Sequence, residues 1–135
     1  MDSILPRGES FDQKERKAMA MTIQECYEKM GANYEDVLKR LYNEAMIRKF
    51  ALLFLKDDSY NKLAKALTEQ DVQTAFRAAH TLKGVCQNLG FSNLYTPTYE
   101  LTETLRAGKL EGTDTQFKRV KKQYTITTDA IRALD

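Results

Sequence analysis

The sequence predicts an all-α protein: an antiparallel four-helix bundle preceded by a short lid helix and a loose N-terminal arm. Three observations carry that prediction. Apolar residues recur at alternating spacings of three and four, no segment shows the strict alternation of a half-buried strand, and cap residues punctuate the periodic stretches. With 135 residues, 42% hydrophobic and 30% charged, the chain suits one compact core rather than two. The expected organisation is an arm over residues 1–20 and one domain over residues 21–135.

Pro6, Gly8, Ser10 and mixed charges give residues 1–20 little periodicity, so they read as a flexible arm that can turn helical near 14–20. Thr22 with Glu25 three places on has the form of a capping box, opening a short helix that ends near Gly31. That helix is short enough to be a lid. Residues 34–42 offer a turn or two of helix with Val37, Leu38 and Leu41 on one side. Asn43 then caps a longer helix in which Met46, Ile47, Phe50, Leu53 and Phe54 form a stripe expected to be buried.

Asp57, Asp58 and Ser59 break that pattern, and Leu63, Ala64 and Leu67 support a further short helix. Asp71 caps the next segment. In it Val72, Ala75, Ala79, Leu82, Cys86 and Leu89 fall on one face, and Gly90 suits the left-handed residue that ends many helices. Residues 92–107 carry Leu94, Leu101 and Leu105, with Pro97 either at a first turn behind a Thr96 cap or at a kink, and Gly108 closing the helix. The last segment, 113–134, keeps Phe117, Val120, Tyr124, Thr127, Ile131 and Leu134 in register through the β-branched run YTITT, so it reads as helix.

Composition excludes several functions. The longest strongly apolar run, FALLFL at 50–55, is flanked by Lys49 and Lys56 and is far shorter than the ~20 residues that span a bilayer. No secretory signal pattern is visible, so a cytoplasmic protein is expected. A net charge of +2 is too weak a bias to indicate nucleic acid. The run FKRVKK at 117–122 reads as a solvated helix face or a partner-docking surface. Cys26 and Cys86 lie far apart, and His80 is the only histidine, so neither a disulfide nor a metal site is expected.

That histidine stands in AHTLKGVCQNLG, residues 79–90, with Lys83 three places on and Gly84 four. Opposite the apolar stripe of its helix lie Gln73, Arg77, His80, Lys83, Gly84 and Gln87, with Phe76 bordering the group one turn before the imidazole. A lone surface histidine usually has no task, but Gly84 needs a reason, because a mid-helix glycine costs about 1 kcal/mol relative to alanine. The missing side chain either clears space beside the imidazole for a bulky group or a partner, or lets another helix pack closely. Lys83 favours the first explanation, since its ammonium can meet an anionic group on the same ring. Histidine, with a reference pKa of about 6.5, offers a neutral nucleophile near pH 7. Together the three residues suggest a phosphoryl group.

The stretch resembles the signature of the histidine-containing phosphotransfer (HPt) domain, His-x-Leu-Lys-Gly followed by a small residue, an apolar residue and glycine. His80, Leu82, Lys83, Gly84, Leu89 and Gly90 match, while Cys86 stands where alanine or serine is commoner. The likeness extends from about Tyr34 through NEAMIRKFALLFL and AFRAAH to LTETLRAG. It implies a phosphorelay carrier in which His80 is the phosphoacceptor, taking the group from the aspartyl phosphate of a response-regulator receiver domain and giving it to another. Lys83 would stabilise the charge of the loose transition state. The resemblance also implies a monomer, a hybrid histidine kinase among the partners, no cofactor of its own, and magnesium on the receiver. Gln87 is either a hydrogen-bonding neighbour of the ring and phosphoryl oxygens or a solvated residue. Arg77 and Phe76, with the short N-terminal helix, are candidates for the docking surface.

Two rivals stand beside this reading. The phosphoacceptor domain of a chemotaxis-type histidine kinase carries a similar His-x-x-Lys-Gly helix. With no dimerisation or ATP-binding segment after Asp135 an independent domain is the simpler expectation, although a piece of a longer chain would read identically. A helical adaptor, binding through the His80 face without phosphoryl chemistry, is the rival of a different class.

Overall fold

The computed structural model describes residues 21–134, so the predicted arm lies outside the described residues. Among the described residues seven helices follow one another: α1 (Ile23–Met30), α2 (Tyr34–Leu41), α3 (Glu44–Phe54), α4 (Ser59–Thr68), α5 (Val72–Leu89), α6 (Ser92–Arg106) and α7 (Thr113–Arg132). No strand occurs among the described residues.

The bundle is built by α4 to α7. Helix α5 packs against α4 and α6, and α6 packs against α7; neighbours joined by connections this short run antiparallel. The ring is completed by aromatic stacking of Tyr60 in α4 on Tyr124 and Phe117 in α7, with centroids 3.8 and 5.5 Å apart. Ala75, Ala79, Leu82 and Cys86 of α5 are fully buried against Leu63, Leu94, Leu101, Val120 and Ile131 of the other three. Helix α4, read from the sequence as a further short helix, is thus a full member of the bundle.

The caps predicted at Thr22, Asn43 and Asp71 hold. Thr22 and Glu25 exchange bonds, Thr22 N donating to Glu25 Oε1 at 2.9 Å and Glu25 N to Thr22 Oγ1 at 3.0 Å. Those bonds hold the Glu25 carboxyl below its ordinary pKa. Asn43 accepts from Met46 N, and Asp71 from Thr74 N. At the start of α4, the side chain of Asp57 rather than Asp58 accepts the Ser59 N–H at 2.9 Å.

Helix α1 packs against α7 and meets the C-terminal end of α5. Ile23, Cys26, Tyr27 and Met30 are buried, and the Tyr27 hydroxyl donates to the Leu89 carbonyl at 2.5 Å. Asn33 N donates to the Gly90 carbonyl at 3.0 Å. Gly90 is required at this junction: its φ is +70°, and a Cβ there would stand 2.8 Å from the Asn33 carbonyl oxygen.

Two expectations are corrected. Of the α3 stripe, Ile47 and Phe54 are buried, but Phe50 is half-buried and Met46 and Leu53 are 39% and 46% exposed. The helix meets the bundle along one edge, so the narrow line Ile47, Ala51, Phe54 covers its contact and the rest of the apolar face looks outward. Pro97 sits inside α6, which begins at Ser92, so Thr96 is not a cap. Proline gives no N–H to the helix ladder, and the hydroxyls of Thr98 and Thr102 bond back to the carbonyls four residues earlier.

Candidate functional site

Helix α5 runs 18 residues from its Asp71 cap to Gly90, and its buried alanine-rich side lets it sit close among its neighbours. The same register turns His80 outward near mid-helix, where it is exposed. Its imidazole lies over the ring of Phe76, one turn earlier, with centroids 5.8 Å apart and planes 16° from parallel. On Phe76 the guanidinium of Arg106 also rests, 4.9 Å from the ring centroid, and Arg106 is held by Glu103 at 3.2 Å. Phe76 is therefore a half-buried platform shared by an imidazole and a cation.

Lys83 is half-buried and makes no ion pair among the described residues. Its Nζ stands 5.6 Å from the ring centroid of Tyr99 in α6. At Gly84 a Cβ would find nothing within 4 Å. Close packing of another helix is therefore not what this glycine serves, and the space beside the imidazole is open to solvent.

The remaining predicted residues are spread along the helix. Arg77 is exposed and its Nη2 donates to Thr74 Oγ1 at 3.2 Å, one turn back along α5. Gln87 is exposed on the histidine side but roughly 10 Å farther along the axis at 1.5 Å per residue, and no hydrogen bond joins it to His80 among the described residues. Its backbone carbonyl instead accepts from Arg40 Nη2 at 2.6 Å, while Arg40 Nε donates to the Asn88 carbonyl at 3.3 Å. Asp36 holds that guanidinium at 2.8 Å, so α2 caps the C-terminal carbonyls of α5 with a charge of the favourable sign. The lid helix α1 contacts this same end, at Leu89, and is not brought beside Phe76, which lies roughly 20 Å away along the axis.

Tyr99, Arg106 and Arg40 are the site neighbours that sequence reasoning missed. Tyr95 and Tyr99 stack on each other, with centroids 6.1 Å apart, each one position past a buried residue, Leu94 and Thr98. An aromatic pair that far from the core line was the available signal. Elsewhere, both cysteines are buried and free; burial raises the Cys26 thiol to about 11 and pushes Cys86 up as well. No described helix is long and apolar enough to cross a membrane.

The fold is thus a small helical bundle that displays its histidine on the open side of one helix, with a lysine and a glycine in the next turn. The Hpt domain family model matches residues 57–133, more than half of the chain and the whole of α4 to α7, and the chain belongs to that family. Its role is phosphotransfer in two-component signalling, where Hpt domains interact with receiver domains of response regulators and with kinases. Comparison with curated proteins and with solved structures gave no match. The last helix, which lies beyond the stretch over which the sequence likeness was read, falls within the matched region; residues 34–56 fall outside it.

Proposed function

We propose that this chain is a phosphorelay intermediate in which His80 takes a phosphoryl group from the aspartate of one receiver domain and passes it to the aspartate of another. The observation that carries this reading is the exposed His80 ring, with open space over Gly84 on the following turn. The lone pair of the unprotonated ring nitrogen forms the N–P bond as the P–O bond to the aspartate breaks. The carboxylate leaves with the electron pair, and the other ring nitrogen keeps its proton. The second half-reaction reverses these bonds on a different receiver.

Phe76 orients the ring, Lys83 meets the equatorial oxygens, and Gly84 leaves room for the receiver to approach in line. Arg77 and Gln87 border the docking face on either side. Magnesium belongs to the receiver, and the chain needs no cofactor of its own. The working unit runs from residue 21 to 135, the lid included, and acts as a cytoplasmic monomer.

The test is a two-receiver relay. A receiver carrying labelled phosphoryl group is mixed with the chain and with a second, unlabelled receiver. The reading expects label to reach the second receiver only when the chain is present and only with His80 intact. Label that reaches His80 but never leaves would make the chain a terminal acceptor; an unlabelled chain that still binds receivers would make it an adaptor.

A further inference from the structure

Lys83 and Tyr99 come from different helices, and their contact is a feature of the packing rather than of the motif. The ammonium stands 5.6 Å from the Tyr99 centroid, inside the ~6 Å range of a cation–π attraction. Tyr99 is 44% exposed, so it is not held there by burial alone. It is braced from α6 itself by stacking on Tyr95, with planes 21° apart.

A lysine stem is flexible, and its charge helps a transfer only while it stays near the reacting oxygens. A carboxylate partner would localise the ammonium but would neutralise it and compete with the incoming phosphoryl group. An aromatic face localises it by its quadrupole and takes no N–H bond in the ordinary sense, so the three donors stay available. Lys83 lies one turn from His80 on the same helix, so a charge held at its tip is within reach of a group carried on that ring.

We propose that Tyr99 is a positioning residue for Lys83: its ring keeps the ammonium beside His80, uncompensated and ready for the phosphoryl oxygens. This deepens the proposed function and rests on it.

The experiment compares the loading rate of His80 in the intact chain and in Tyr99→Leu, Tyr99→Phe, Lys83→Gln and the Tyr99→Leu/Lys83→Gln double variant. Two donors are used: the phosphorylated receiver domain that loads the wild type fastest in a panel, and phosphoramidate, which has no docking surface. Tyr99→Leu is expected to slow loading about threefold to tenfold with both donors, Tyr99→Phe to load like the wild type, and Tyr99→Leu to add nothing once Lys83 is Gln. Slowing with the receiver alone would make Tyr99 a docking residue and overturn the proposal. So would a Tyr99→Leu chain that loads at the wild-type rate, or an effect that persists in full without Lys83. A wild-type chain that takes no phosphoryl group from either donor would overturn the carrier function, and this role with it.

Discussion

The imidazole of His80 stacks nearly parallel to the ring of Phe76, 5.8 Å between centroids. An acceptor on an exposed helix would otherwise sample several rotamers, and a ring one turn earlier narrows that choice. Phe76→Leu keeps an apolar side chain on the platform but removes the stack. Loading of His80 should slow about threefold to tenfold, with stability changed by less than about 1.5 kcal/mol. Loading rate and urea denaturation together check this, and an unchanged rate would show that the stack orients nothing.

Two glycines of the same stretch, Gly84 within α5 and Gly90 at its end, respond oppositely to the same substitution. Gly84→Ala should raise stability by about 0.5–1 kcal/mol, because the helix gains alanine propensity and the new Cβ meets nothing within 4 Å. Gly90→Ala should lower stability by about 1–3 kcal/mol, since its φ is +70° and the Cβ would press on the Asn33 carbonyl at 2.8 Å. Denaturant midpoints decide both signs.

Filling the open space with a longer side chain separates folding from transfer. Gly84→Gln should fold with a stability close to the wild type and take phosphoryl group from a receiver far more slowly. Unimpaired transfer in a folded variant would remove the clearance argument.

One hydroxyl ties the lid directly to α5. Tyr27→Phe deletes the bond to the Leu89 carbonyl and should cost about 1 kcal/mol while leaving His80 loading unchanged. Faster amide exchange confined to residues 23–33 would locate the loss in α1.

Alkaline pH should loosen the fold. Burial raises the Cys26 thiol from 9.0 to about 11 and also moves Cys86 and Tyr27 upward. The folded chain therefore holds protons that the unfolded chain releases, so this stability is full below pH 9 and is lost as pH rises toward 11. The urea midpoint should fall across that window, and a Cys26→Ala/Cys86→Ala chain should lose less of its stability there.

Where local chemistry decides, the structure was legible in the sequence. Asp71 and Gly90 bound α5 because a side-chain acceptor and a left-handed glycine are local requirements, and its apolar stripe fixed which side His80 faces. Met46 and Leu53 were misjudged because periodicity finds an apolar face without telling how much of it a neighbour covers. Pro97 was ambiguous because threonine hydroxyls and packing allow a helix to run through it. Tyr99 and Arg106 escaped notice for a related reason: each reaches the site from α6, and only the way two helices pack brings them over Lys83 and Phe76. The motif itself, His80 with Lys83 and Gly84, lies within two turns of one helix and so was visible without tertiary information.

The central claim is most directly tested by the mass of the intact chain after exposure to phosphorylated receiver domains, read under neutral to alkaline conditions beside His80→Gln. One added phosphoryl group, labile to acid and absent from a His80→Gln chain whose stability lies within about 0.5 kcal/mol of the wild type, is the predicted result. A folded His80→Gln chain that gains the same group, or a wild type that gains none from active donors, would contradict it.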